Sequence, residues 1–285
     1  MSGELAYLGF AEAAELIRAK KLSPVEYATA LLARIERHDG KYNAFIALTP
    51  ERALKAARAA EAEITVGRWR GPFHGVPYAL KDIIDVEGLA TTARSKILKG
   101  NIARRHAVVT ERLEAAGGVL LGKLSTHEFA IGGPSFDLPW LPARNPWNCD
   151  HFCGGSSSGS GAGLAAGFFP AALGTDTGGS IRNPASMCGI TGMKATYGRV
   201  SRRGVAPLAF SLDHIGPMTR TVRDNALMLQ VIAGHVRVIR EVPTTRCPTT
   251  GRYSARTSEA CGSVSSAIST PGMLRAIPNR SRRWI

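Results

Sequence analysis

The sequence predicts an α/β fold with helices packed on a largely buried sheet, and three observations predict it. From Gly71 onward, short apolar runs punctuated by Gly and Pro alternate with helical segments. Before that point, residues 1–70 carry helical periodicity and helix-start signals. The chain has 285 residues, 44% hydrophobic and 20% charged, enough for a sizeable core in one large domain or two small ones. That balance excludes a disordered tail protein and a disulfide miniprotein.

The elements follow in chain order. Ser23-Pro24-Val25-Glu26 places a capping hydroxyl, a proline at the first helical position and an acid at the third, and Tyr27, Leu31, Leu32 and Ile35 then recur on one face. A second helix starts at Thr49-Pro50-Glu51 and runs through an Ala-rich segment to about Glu63. Gly67 to Gly75 interrupts the helical pattern. Val108 to Ala116 reads as a helix closed by Gly117, leading into Val119-Leu120-Leu121, a buried-strand candidate. Thr221-Val222-Arg223-Asp224 has the form of a capping box and opens a last helix through Leu227, Met228 and Val231 to Gly234. No internal repeat is visible.

No stretch approaches the roughly 18 uninterrupted apolar residues of a membrane span, and Met1 to Phe10 lacks the basic start and apolar run of a signal peptide. A cytoplasmic address is therefore expected, with no membrane partner. Five cysteines, an odd number scattered along the chain, leave at least one free thiol and argue against a disulfide framework. The net charge of +14 raises nucleic acid as a partner. Half of the excess sits in Val236 to Ile285, which holds nine Arg and two Glu, scattered without interleaved aromatics. A non-catalytic basic protein binding nucleic acid through that tail is thus the less favoured alternative.

The chemistry concentrates in two glycine-serine clusters and one lysine. Gly154-Gly155-Ser156-Ser157-Ser158-Gly159-Ser160-Gly161-Ala162-Gly163 runs straight into a small-residue helical segment, which a flexible linker seldom does. At a helix start, free N–H groups suit such a loop to an oxygen gaining negative charge. Three common patterns nearly fit. Gly117 to Lys123 has phosphate-loop spacing, but Leu124 stands where a hydroxyl is needed. Gly161 to Ala166 resembles a dinucleotide fingerprint without the preceding strand. Gly155 to Gly159 satisfies a nucleophile elbow centred on Ser157, but the acid and histidine on offer, Asp213 and His214, are adjacent and poorly suited to separate roles.

The second cluster, Gly174-Thr175-Asp176-Thr177-Gly178-Gly179-Ser180-Ile181-Arg182, follows the first closely enough to bring two hydroxyls together around one short helix. A serine hydroxyl is a weak nucleophile at neutral pH, so a base is needed. Lys81 follows the apolar run Val76 to Leu80, where burial would lower its pKa and let it accept a proton. Cys149, His151 and Cys153 offer only two thiolates and one imidazole, so these read as structural thiols and no metal or cofactor is expected.

The segments around Lys81, Ser156 and Ser180 resemble the amidase signature family. The likeness runs from about Ser2 to Gly234 and takes in Arg144-Asn145-Pro146-Trp147, Tyr197-Gly198-Arg199-Val200 and Ser211-Leu212-Asp213-His214-Ile215-Gly216-Pro217. It implies a mixed β-sheet covered by helices, with residues 71–235 as catalytic core. It also implies a carboxamide hydrolase acting on a small amide, with Ser180 as acyl-forming nucleophile, Ser156 as bridging hydroxyl after a cis Gly155–Ser156 bond, and Lys81 as base. The N–H groups of Thr177, Gly178, Gly179 and Ser180 would form the oxyanion hole, with Asp176 and Arg182 supporting the loop. Many members have Gly-Gly where this chain has Ser158-Gly159. The likeness extends to the A subunit of glutamyl-tRNA(Gln)/aspartyl-tRNA(Asn) amidotransferases, although His127 to Trp140 does not closely follow it. A free-standing amidase, as monomer or homodimer, is the first reading, and a polypeptide working with amidotransferase partner subunits is the alternative.

Family members are longer than this chain, and from about Val236 the sequence becomes an Arg, Ser, Thr and Pro mixture with no hydrophobic period. A reading-frame shift near His235 is the expectation. Shifted codons can encode an Asp-Pro turn, a helix-like middle and an apolar strand without a forced stop. On that reading the fold is incomplete at the C-terminus, 236–285 is a disordered tail, and activity is impaired.

Overall fold

The computed structural model describes residues 5–234. Residues 236–285, for which a frame shift and a disordered tail are expected and on which the nucleic-acid reading rests, lie outside the described residues. Among those described, six strands form one mixed sheet in the order β1 (Phe45–Leu48), β3 (Val119–Leu124), β2 (Pro77–Lys81), β4 (Ala171–Asp176), β6 (His214–Thr219), β5 (Thr191–Gly192). The central trio is parallel: β2 pairs with β3 on one side and β4 on the other. Strands β1, β6 and β5 join antiparallel. Every residue of β2, β3 and β4 is buried, as expected of parallel strands covered on both faces. The α/β class and the mixed sheet are therefore both found.

Among the described residues, seven α-helices cover this sheet: α1 (Phe10–Arg18), α2 (Pro24–Tyr42), α3 (Pro50–Thr65), α4 (Val108–Ala115), α5 (Ser158–Ala165), α6 (Arg182–Cys188) and α7 (Val222–Ile232). The Ser23 hydroxyl accepts from the amides of Val25 and Glu26, both at 3.1 Å, satisfying two of the donors a helix start leaves open. Helix α2 buries Tyr27, Ala28, Leu31 and Ile35, and Asn43 ends it in the left-handed region at φ 52°. Phe10 and Ile17 of α1 enter the same core, where Phe10 meets Phe73 edge-on at 5.2 Å and Phe73 meets Tyr78 at 5.3 Å.

Two local expectations are corrected. Residues 1–70 are not purely helical, because Phe45–Leu48 forms the edge strand β1 against β3. Helix α3 starts where expected, and the Thr49 hydroxyl donates to the Leu120 carbonyl at 3.2 Å, tying the helix start to the sheet. At α7, Thr221 accepts from the Asp224 amide at 3.1 Å, but the Asp224 carboxylate does not close the box. It accepts instead from the Ala11 amide at 2.8 Å, capping α1 from a distant part of the chain. No described helix is long and apolar enough to cross a membrane.

Candidate active site

The carboxyl ends of the parallel strands set the site, where chains leave the sheet in opposite directions and open a crevice. Lys81 is the last residue of β2, and Asp176 the last of β4, its neighbour. The glycine-serine run reaches the same place because it is a buried helix rather than a linker. Helix α5 starts at Ser158, inside the run, and a side chain on Gly159 would run into the Ala44 carbonyl oxygen and lie 2.5 Å from the Ser125 nitrogen. Glycine there lets the helix backbone approach the point where the chain enters β1 and leaves β3, the Ser125 amide donating to the Ala44 carbonyl at 2.8 Å. The two clusters are thus joined by helix α5 and strand β4, not by one short helix.

Lys81 is fully buried, and its Nζ donates to Ser156 Oγ at 2.7 Å and to Thr175 Oγ1 at 2.8 Å. Burial lowers its pKa to about 7, against the opposing pull of the Asp176 and Asp213 carboxylates. At neutral pH much of this amine is uncharged. Ser156 is 2% exposed, and the Gly155–Ser156 bond is cis. The Gly155 amide donates to Asn183 Oδ1 at 3.0 Å, and the His127 ring occupies the space where a side chain on Gly155 would stand. The His127 amide in turn donates to the Ser156 carbonyl at 3.1 Å. Burial lowers the His127 pKa to about 4, aided by Lys81 and Arg94 and opposed by the Gly132 carbonyl, so the ring is neutral.

Ser180 sits on the loop leaving β4, half-buried, and its carbonyl accepts from the Ser157 amide at 3.2 Å. That bond lays the two clusters side by side. The loop is organised around Asp176, whose carboxylate accepts from the amides of Gly179 (2.8 Å), Ile181 (3.2 Å) and Arg182 (3.4 Å) and from Arg182 Nε and Nη2, both at 3.0 Å. Burial alone would raise the Asp176 carboxyl, but the Arg182 guanidinium and these amides outweigh it and hold the group below its ordinary range. Of the amides expected as oxyanion donors, that of Gly179 is committed to Asp176. Gly178 faces open space, with no described atom within 4 Å of where a side chain would begin. Thr177 anchors the loop through its hydroxyl, which donates to Asp213 Oδ1.

The nucleophile-elbow alternative does not hold. Ser157 is fully buried, and its hydroxyl is taken up by the Thr175 backbone, donating to the carbonyl and accepting from the amide, both at 3.2 Å. Asp213 accepts from the amides of Leu208 and Ala209 and does not orient a histidine for Ser157. Cys153 is buried and its thiol donates to the Ala143 carbonyl at 3.2 Å. Among the described residues no group of three or more His, Cys, Asp or Glu side chains stands where a metal could be held. Thr175, His127 and Asn183 were not singled out by sequence reasoning. None of the three carries a local pattern that assigns it a role: Thr175 lies within the second cluster, and only the pairing of β4 with β2 brings it to Lys81.

The family model described as Amidase matches residues 26–271. The chain is 51% identical over 232 residues to the A subunit of the glutamyl-tRNA(Gln) amidotransferase of Anaeromyxobacter sp. (strain K), covering 81% of this chain and 47% of that relative. It is 50% identical to the protein of the same name from Geobacter metallireducens, over 81% and 48%. Among solved structures, the native peptide amidase of Stenotrophomonas maltophilia superposes with TM-score 0.80 at 38% identity, over 87% of this chain and 52% of that one. A bacterial aryl acylamidase superposes with TM-score 0.79 at 32% identity, over 85% and 50%. The chain spans about half the length of the curated relatives it matches. Its buried lysine and paired serine clusters, on a mixed sheet shared with these proteins, place the chain in the amidase signature family.

Proposed function

We propose that the complete site hydrolyses a carboxamide to a carboxylate and ammonia or an amine through an acyl-enzyme on Ser180. The supporting observation is the buried Lys81 amine, donating to Ser156 Oγ at 2.7 Å with its pKa lowered to about 7. A neutral amine there can take the Ser156 proton as Ser156 takes that of Ser180. The Ser180 oxygen then attacks the carbonyl carbon, and negative charge passes to the carbonyl oxygen. Amides of Thr177, Gly178 and Ser180 would receive that charge, the loop being held by Asp176, Arg182 and the Gly179 amide. Removing one such donor costs roughly 2.7–4 kcal/mol of transition-state stabilisation. As the C–N bond breaks, the Lys81 ammonium returns its proton through Ser156 to the departing nitrogen, and water then cleaves the ester. Ammonia release from simple carboxamides, compared among the wild type, Ser180→Ala and Lys81→Ala, tests this. Undiminished turnover in either variant contradicts it.

The 51% identity to amidotransferase A subunits favours a second reading, in which the site supplies ammonia to partner subunits. Turnover that appears only when those partners are added would select it. Substrate and partners belong to these two proposals, and both use the same three side chains.

A further inference from the structure

Beside the proposed reacting groups lies a cavity of about 250 Å³. Its lining includes Thr175, which accepts from Lys81, and Thr177, three residues before Ser180. Otherwise the walls are mainly apolar, with Ile83, Ala130, Val205, Leu208, Phe210 and Ile215 around it. Among the described residues three charged or titratable side chains also line it, and each is already engaged within the protein. Asp213 accepts from the Thr177 hydroxyl and from the amides of Leu208 and Ala209. His214 Nδ1 is 2.6 Å from the Leu212 carbonyl, and its Nε2 is 3.3 Å from Lys194 Nζ. The Arg202 guanidinium lies over the rings of Tyr197 and Phe210, 4.8 and 4.5 Å from their centroids, and bonds to the Phe210 carbonyl.

We infer that this cavity is the acyl pocket and that it takes a small uncharged apolar acyl group, aryl or branched alkyl. The inference rests on the amidase reading and narrows its substrate. An apolar cavity of roughly 150 Å³ accommodates benzene, so the space beside Thr175 admits a phenyl-sized group. Glutamine would bring an α-ammonium and an α-carboxylate against described walls whose own charges are engaged within the protein, leaving both charges uncompensated. Specificity of this kind comes from apolar contact on one side and from uncompensated charge on the other.

The test is covalent labelling of the full chain with two serine-reactive probes, phenylmethanesulfonyl fluoride and methanesulfonyl fluoride. Ser180 Oγ attacks sulfur, the S–F bond breaks, fluoride leaves and the serine proton passes toward Lys81. Each labelling rate, followed by peptide mass spectrometry, is divided by that probe's hydrolysis rate in buffer. The phenyl probe should then react about tenfold faster or more, the selectivity expected of several buried apolar carbons. Benzamide should slow the labelling, and glutamine at the same concentration should not. Leu208→Asp should abolish the phenyl preference by slowing the phenyl probe, and the circular dichroism spectrum and unfolding midpoint of the variant report that it is folded. Equal normalised rates, or protection by glutamine, would overturn the pocket assignment while leaving the amidase reading standing. Modification of another serine with Ser180 left untouched would overturn the amidase reading itself.

Discussion

At the scale of single residues the proposed chemistry rests on Lys81, because burial with only hydroxyl partners for its Nζ suits an amine to act as a base at neutral pH. Its folded-state pKa is lowered to about 7 from 10.5, so the reactive neutral form grows as pH rises through 7. The rate of Ser180 acylation should therefore climb along a single acid limb with a midpoint near pH 7. Lys81→Ala should lose roughly 10²–10⁴-fold in that rate, the usual contribution of a positioned base. Ser156→Ala should lose a comparable factor while leaving Lys81 buried, measured by the same acylation assay. Lys81 and the two glycine-serine clusters were legible in the sequence as local patterns, and the resemblance to the amidase signature family singled out Ser156 and Ser180 among the clusters' serines. Thr175 was not, since a threonine within a buried strand has no signature until its neighbours across the sheet are known. Gly179 shows the same limit: its place in the loop was readable, but the carboxylate that takes its amide was not.

The strands and helices hold these groups through close backbone approach and one buried ion pair. Lys123 on β3 and Asp82, the residue after β2, meet at 2.8 Å with side chains 1% and 0% exposed. Lys123 also donates to the Ala90 carbonyl and the Thr91 hydroxyl. Removing one partner strands a buried charge, so Lys123→Met should destabilise the fold by about 3–5 kcal/mol in denaturant unfolding. Gly159→Ala would drive a methyl group against the Ala44 carbonyl and the Ser125 amide. It should cost about 1–3 kcal/mol or more, with a matching fall in midpoint, because both neighbours are backbone and cannot step aside. Helix starts at Ser23, Pro50 and Thr221 were readable from capping and proline chemistry. Strands β1 and β5 were not: four residues and two residues are too short to show a period, and they exist only through pairing with β3 and β6. The Asp224 carboxylate escaped for the related reason that its partner, the Ala11 amide, lies in a different helix.

For the molecule as a whole, the mixed sheet puts a buried amine whose pKa is lowered to about 7, two serine clusters and an apolar cavity at the carboxyl ends of three parallel strands. Family membership follows from sequence and fold together, whereas the reaction follows only from the site. The amidase and amidotransferase readings share Lys81, Ser156 and Ser180 and differ in what reaches Ser180 and what takes up the ammonia. The most direct measurement is the pH dependence of Ser180 labelling by phenylmethanesulfonyl fluoride in the wild type and in Lys81→Ala. The expected result is an acid limb centred near pH 7 in the wild type, with labelling at least about a hundredfold slower and free of that limb in the variant. Equal rates in the two proteins, or modification at Ser157 in place of Ser180, would contradict the proton relay.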